Sequence, residues 1–351
     1  MKINQIPHIG RRAISVLSLF LLICFCLSSL ILPASAAPDH GETFRYAGLR
    51  LCPGGMPFGV KFITDGVLIT NVDTSAAAAG NLHPGDRVTA VNGKAVATAS
   101  ELSDAVNAGG GKPVTITYMH GSEKKDVTLT PRYDRADGRY KTGLYVRDSG
   151  AGIGTVTFIR QNDHAFGGLG HGICDGESGK LIPMRRGTVT DVTVSGLSKG
   201  TSGTPGEIKG YFGTGKTGTL LNNTDCGVFG VFTAPPSGFD SESVEVASRF
   251  ELKEGDAVVR CTLGTDGVHE YAVRISSIRS DATGPKCFTV KITDPALIAR
   301  SGGIIQGMSG SPILQNGKLV GAVTHVLISD PTTGYGIFIE NMLDNLPASL
   351  R

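Results

Sequence analysis

The segment best suited to covalent chemistry is Gln306-Gly307-Met308-Ser309-Gly310-Ser311-Pro312. A serine held between glycines on a tight turn can be exposed, and the flanking amides can converge on one point. Acyl transfer needs that combination: a nucleophilic hydroxyl, with N–H donors aimed where the oxyanion develops. In this register Ser309 is the candidate nucleophile, and the amides of Gly307 and Ser309 are the candidate donors. Downstream, Ile313-Leu314 runs into an Asn316-Gly317 hairpin signal, and Leu319 to Val323 returns as a strand ending at Thr324-His325.

The order G-x-S-G-x-P, strand, turn, strand resembles the nucleophile region of chymotrypsin-like serine peptidases. That resemblance implies a histidine base upstream and an acidic residue to orient it. His171, in Gly167-Gly168-Leu169-Gly170-His171-Gly172-Ile173, has small neighbours that permit close approach, whereas His164 reads as structural. The strand after the nucleophile hairpin would wall the substrate pocket, which places His325 there. It would either donate to a polar substrate side chain or be satisfied inside the barrel.

Two other patterns carry less. His164-x6-His171-x2-Cys174 is not a zinc-protein spacing, so no metal or other cofactor is expected. Gly210-x4-Gly215-Lys216-Thr217 satisfies the phosphate-loop pattern, but Gly218-Thr219-Leu220-Leu221-Asn222-Asn223 after it is poor helix sequence. With no helix N-terminus to hold phosphate, a β-hairpin is expected there instead.

The elements that must position these residues are short strands. Gly is 49 of 351 residues, about twice the usual share, and so much glycine disfavours helix interiors. Runs such as Gly154–Ile159 and Gly187–Val194 are β-branched, and no helix-length amphipathic segment appears between Gly138 and Asp294. Residues 138–345 therefore read as an all-β unit. At the N-terminus, Arg11-Arg12 precede an apolar run from Ala13 to Leu32 and an Ala34-Ser35-Ala36 cleavage pattern. Residues 1–36 are read as a signal peptide or a membrane anchor, with the rest of the chain exported. Lys2, Arg11 and Arg12 belong to that leader and leave 30 basic against 31 acidic residues. A net charge of −1 gives no basic face for nucleic acid. Beyond the leader, Cys52, Cys174, Cys226, Cys261 and Cys287 are an odd number without a C-x-x-C pair; one bridge remains open.

Residues 45–131 have a different pattern: the Gly54–Gly59 loop, Leu82-His83-Pro84-Gly85-Asp86-Arg87-Val88, Val91-Asn92-Gly93-Lys94, and a helix opened by Thr98-x-x-Glu101 with Leu102 and Val106 on one face. This succession resembles a bacterial PDZ domain. The resemblance implies a groove that adds an extended peptide as a strand, with Gly55, Phe58, Gly59 and Val60 as its peptide-binding loop.

Gly170-His171-Gly172, Gly307–Pro312 and Ala322-Val323-Thr324-His325 behind a PDZ domain and an apolar leader are similar to the stage IV sporulation protein B peptidases. The likeness extends from the leader to Met342. It implies a mainly β fold, with a PDZ domain followed by a chymotrypsin-like double barrel. It also implies a secreted or anchored serine endopeptidase acting between forespore and mother cell. Such an enzyme would cleave itself and a membrane-bound regulatory protein, leading to sigma factor processing. Matched residue by residue, His171 is the base, Ser309 the nucleophile and Asp294 the acidic member. Asp294 lies only 15 residues before Ser309, which departs from digestive enzymes; Asp175, Asp225 and Asp240 are the alternatives. Asp294 before Pro295 also suits a helix N-cap. The contrasting expectation is an inactive PDZ scaffold, its groove binding peptide termini, including those of its own chain.

Overall fold

A computed structural model describes residues 44–74, 82–176, 178–234, 236 and 238–350. The leader expected at residues 1–36 lies outside them. Among the described residues, no helix is long and apolar enough to cross a membrane.

Strand β1 (Arg50–Pro53) leads into β2 (Pro57–Val72), which is 16 residues long. Next come β3 (Arg87–Val91), β4 (Lys94–Ala95), helix α1 (Ala99–Ala108), β5 (Val114–His120) and β6 (Glu123–Leu129). A small hairpin, β7 (Arg132–Asp134) and β8 (Arg139–Lys141), precedes a second 16-residue strand, β9 (Leu144–Ile159). They are followed by β10 (Ala165–Gly168), β11 (Met184–Ser198), β12 (Glu207–Phe212), β13 (Gly218–Thr224), β14 (Gly227–Phe232) and β15 (Val244–Glu245). The final third contains β16 (Gly255–Thr262), β17 (Val268–Ser276), β18 (Phe288–Ile292), α2 (Pro295–Ser301), β19 (Pro312–Gln315), β20 (Lys318–Leu327), β21 (Asp330–Phe338) and α3 (Ile339–Asp344).

Two six-stranded barrels result. The first runs β9-β10-β14-β13-β11-β2 and closes through the β2–β9 pairing. Its core joins Phe58, Val60 and Phe62 to Val156, Phe166, Val189 and Phe232. The second barrel is β16-β17-β18-β21-β20-β19. The mainly β fold with a double barrel is therefore what the sequence led one to expect. The phosphate-loop-like segment connects β12 to β13. Each of those strands pairs with β11 rather than with the other, so the expected hairpin is not formed.

The PDZ domain does not precede the first barrel; it is inserted within it. Strand β2 pairs with β9 twice, Pro57–Ile63 against Ser149–Thr155 in the barrel and Leu68–Val72 against Leu144–Arg147 in the PDZ domain. Between the two stretches β2 carries three extra residues, with Gly66 at φ +83° in the bulge. The bulge bends the ribbon from one core into the next. The Thr64 hydroxyl donates to the Gly66 carbonyl, and Arg87 pairs with Asp65. Beyond it, Val67, Ile69, Val88, Leu102, Val106 and Ile116 form a separate PDZ core. Helix α1 opens with the expected capping box: Thr98 accepts from Glu101 N at 3.1 Å, and Glu101 accepts from Thr98 N at 3.3 Å.

The expected boundaries shift accordingly. Residues 50–63 belong to the peptidase barrel, and residues 144–147 belong to the PDZ sheet. Deleting residues 45–131 would remove β1 and the barrel half of β2, so that variant should be insoluble or unfolded. Replacing residues 65–147 by Asn-Gly should instead leave a folded double barrel, since Ile63 and Ser149 already face each other. Circular dichroism and soluble yield check both; a folded 45–131 deletion would contradict the insertion.

Candidate active site

The nucleophile loop is clamped from below by β9. Thr155 N donates to the Ser309 carbonyl at 2.9 Å, and its hydroxyl donates to the Gly307 carbonyl at 2.7 Å. Two residues on, the Thr157 hydroxyl donates to the Gly310 carbonyl at 2.7 Å. Both threonines are buried, so these bonds are sheltered from water. Gly310, at φ +94°, permits this approach, because a Cβ there would collide with the Thr155 carbonyl. From the other side, Gly310 N donates to Val323 O at 2.7 Å and Val323 N to Ser311 O at 2.9 Å.

With the carbonyls held, the amides divide into two sets. Those of Met308, Gly310 and Ser311 donate to backbone carbonyls. Those of Gly307 and Ser309 have no acceptor among the described residues, as an oxyanion hole requires. The Ser309 hydroxyl donates to the Thr324 carbonyl at 2.7 Å. Ser311 is fully buried, and its hydroxyl has no partner among the described residues.

His171 arrives at the same place from the first barrel. After β10 the chain turns sharply through Leu169 and Gly170, both left-handed at φ +65° and +66°. Gly170 packs on Thr324 and Ile337, where a Cβ would be within 2.9 Å of the Thr324 methyl. His171 Nδ1 lies 2.9 Å from the Gly172 carbonyl, which assigns the proton to Nδ1 and leaves Nε2 as the acceptor. Its ring lies on that of His325, with centroids 4.8 Å apart. Burial lowers the His171 pKa, opposed in part by the Gly172 contact. Burial, with smaller contributions from His171 and Lys286, lowers His325 to about 4. Both imidazoles are therefore neutral at pH 7. His325 Nδ1 is buried without a partner among the described residues.

The acidic member is elsewhere. Asp294 is the N-cap of α2, accepting from Ala296 N at 2.8 Å and Leu297 N at 3.0 Å, and from Ala272 N at 3.3 Å. Its carboxylate is occupied by that helix end. Asp175 accepts from Ser178 in its own loop, Asp225 sits exposed in the β13–β14 turn, and Asp240 lies 3.7 Å from Arg260. Among the described residues no carboxylate hydrogen-bonds His171; the Gly172 carbonyl holds that position.

The expected PDZ loop is also displaced. Phe58 and Val60 are barrel-core residues, Gly59 packs under Phe212, and Gly55 N donates to Val156 O at 2.9 Å. None faces a peptide groove. Phe58, Val60 and Phe62 alternate along β2 with their side chains in the barrel core, so this segment is a strand of the peptidase rather than a loop of the PDZ domain. The groove lies between α1 and the unpaired edge of β9 at Leu144–Asp148, lined by Leu102, Val106, Leu144 and Val146. Ala99 N donates to Asp148 at 2.9 Å at one end. At the other, Tyr140 N donates to Asn107 at 3.1 Å and Arg139 pairs with Asp104. Thr142-Gly143-Leu144, a small-residue turn before an alternating strand, was the sequence signal for it.

Two outcomes follow. Asp294→Asn, which preserves the cap, should label with a fluorophosphonate at the wild-type rate, and Asp294→Ala should lose about 1 kcal/mol of stability; a loss near 10⁴-fold in Asp294→Asn would instead make it the orienting acid. The acid limb of kcat/KM should fall below pH 6.5, since His171 stays neutral there. Thermal stability should decline as pH drops from about 6.5 toward 4, because the unfolded histidines bind protons that the folded ones refuse. An acid limb above pH 6.5 would contradict the buried neutral base.

Residues 138–343 match the family model described as SpoIVB peptidase S55, and residues 54–130 match that of a PDZ domain. A Neisseria meningitidis protein named as a zinc metalloprotease is 30% identical over 98 residues, 28% of this chain; the chain spans only a fifth of that protein's length. The PDZ domain of an SdrC-like protein from Listeria monocytogenes is 28% identical over 23% of this chain and 87% of its own, with a TM-score of 0.21. The Rv3671c protease of Mycobacterium tuberculosis in its active form is 18% identical over 56% of this chain and 72% of its own, with a TM-score of 0.27. With a family match over more than half its length, the chain belongs to the SpoIVB peptidase S55 family and is a serine peptidase carrying a PDZ domain.

Proposed function

We propose that Ser309 is the nucleophile and His171 the base of an endopeptidase whose PDZ groove selects the polypeptide to be cut. The observation that carries this is the convergence of Ser309 and His171 on Thr324-His325. At rest the Ser309 hydroxyl is held on the Thr324 carbonyl. Among the described residues, the edge of β20 from Thr324 to Leu327 has no partner strand on the side opposite β21. A substrate strand added there competes for the Thr324 carbonyl and frees the hydroxyl to turn toward His171 Nε2. Nε2 takes the proton as Oγ attacks the scissile carbonyl, and the amides of Gly307 and Ser309 receive the oxyanion. The proton then passes to the leaving amine, and water repeats the cycle on the acyl-enzyme. The Gly172 carbonyl holds the Nδ1 proton throughout. His325, whose ring adjoins that of His171, is placed beside the substrate side chain in this reading, with its Nδ1 turned inward and buried.

The substrates we propose are the chain itself and a membrane-bound regulatory protein, with export by the N-terminal leader and a role in sporulation signalling. The family match and the peptide groove support this reading. The groove strand continues into Thr155 and Thr157, so a peptide bound at Leu144–Asp148 lies on the same strand that clamps the nucleophile loop.

Incubating the purified chain and following its N-terminal trimming tests the proposal. Wild type and Ser311→Ala should trim themselves and label with a fluorophosphonate. Ser311→Ala removes only a buried unbonded hydroxyl and should be neutral or mildly stabilising. Ser309→Ala should do neither. Trimming or labelling that survives in Ser309→Ala, or an unreactive wild type, would favour the inactive scaffold.

A further inference from the structure

The PDZ domain holds a cluster of chemistry-bearing side chains that the peptidase does not use. His83 and Asp86 lie in the Leu82-His83-Pro84-Gly85-Asp86 turn before β3, and His120 ends β5. One ligand-capable atom from each lies within 4.8 Å of the other two. Asp86 is the fixed point. It is only 1% exposed; one oxygen accepts His83 N at 2.9 Å, and the other lies 2.8 Å from His120 Nδ1. His83 Nδ1 stands 4.0 Å from that carboxylate, and the two imidazole rings are 5.6 Å apart.

The backbone fixes these positions. Asp86 N donates to His83 O at 3.1 Å, Gly85 N to Ile69 O at 2.8 Å, and Ile69 N to Asp86 O at 2.8 Å. His120 is held opposite Glu123 at the end of the β5–β6 hairpin. A buried carboxylate requires a positive partner close by. Arg87, the adjacent cation, turns to Asp65, and Lys125 pairs with Glu123. Among the described residues, the hydrogen-bond partners of the Asp86 side chain are His83, through its backbone N–H, and His120, through its ring.

We infer that His83, Asp86 and His120 form a binding site for a divalent transition-metal ion of the zinc type, with water at the fourth position. Two imidazoles and one carboxylate suit such an ion better than calcium or magnesium, which prefer oxygen donors. Tetrahedral bonds of about 2.0–2.1 Å put ligand atoms about 3.3 Å apart. His120 and Asp86 are already that close, and the exposed His83 ring has only to rotate inward. The ion takes the place of the hydrogen bond between His120 Nδ1 and Asp86, and any proton on the ligating nitrogen leaves to solvent on binding. Its reach extends beyond the turn. Gly85 packs against the side chain of Lys180, in the loop that follows His171, and Ile69 faces Val146 of the groove strand. No spacing motif of the kind formed by His164, His171 and Cys174 marks this set in the sequence, because His120 is 34 residues from Asp86 and meets it only through the β3–β5 pairing.

Titrating the purified chain with Zn²⁺ against a chromogenic chelator, alongside thermal melts, tests the site. Wild type should bind one equivalent, with Tm rising as Zn²⁺ is added. His83→Ala, at an exposed ring, and His120→Ala, at a half-exposed one, should each lower the affinity at least tenfold and remove the Zn²⁺-dependent rise. His171→Ala should bind as wild type does. Absence of Zn²⁺ uptake by wild type, unchanged uptake in both PDZ variants, or loss of uptake in His171→Ala, which would place the ion in the catalytic cleft, would overturn the assignment.

Discussion

One antiparallel ribbon, β2 against β9, carries the rest of the molecule. At about 3.3 Å per residue each strand is about 50 Å long, enough to serve two cores in succession. The barrel half supplies two neighbouring staves of the first barrel, and the PDZ half supplies the groove edge and its backing strand. Continuity through the Gly66 bulge makes the PDZ domain a projection of the barrel wall rather than a module on a linker. From Val146 in the groove to Thr155 beneath the nucleophile loop is nine residues, or about 30 Å of one strand. A change in twist at one end has a direct mechanical path to the other.

The catalytic cleft is arranged for a neutral base. Burial keeps both His171 and His325 uncharged, and the closeness of the two tilted imidazoles, 4.8 Å between centroids, penalises a second proton at that spot. A carbonyl rather than a carboxylate fixes the His171 tautomer. A carbonyl orients the ring but adds less to the stability of an imidazolium than a full charge does. Together with a hydroxyl held on Thr324, this arrangement fits the proposed substrate-strand mechanism, in which the reactive geometry forms only when a strand is added at β20.

Local signals in the sequence were reliable where the structure is local. The Thr98/Glu101 box, the Asn92-Gly93 and Asn316-Gly317 turns, and the Gly-Ser-Gly loop all occur as written, because each depends on residues a few positions apart. The Asp294 cap was visible in the same way, as an Asp-Pro pair, and its carboxylate serves that helix end rather than the triad role the resemblance implies. What failed was long-range pairing. Phe58-Gly59-Val60 sits next to PDZ sequence along the chain but pairs with Gly152–Gly154 across the insertion, and nothing local encodes that partner. The groove strand at Leu144–Asp148 was read as part of the peptidase for the same reason. A domain inserted between two strands of another leaves each half-strand looking like its neighbour in sequence.

The most direct test of this account removes the clamp and leaves its shape. Thr155→Val keeps the volume of a fully buried side chain but deletes the bond to the Gly307 carbonyl, leaving that acceptor unsatisfied at a cost of about 1–3 kcal/mol. If β9 holds the nucleophile loop in register, the second-order rate of fluorophosphonate labelling at Ser309 should fall at least tenfold while circular dichroism stays native. A folded Thr155→Val protein labelled at the wild-type rate would show that the loop holds its geometry without β9, and would contradict the account.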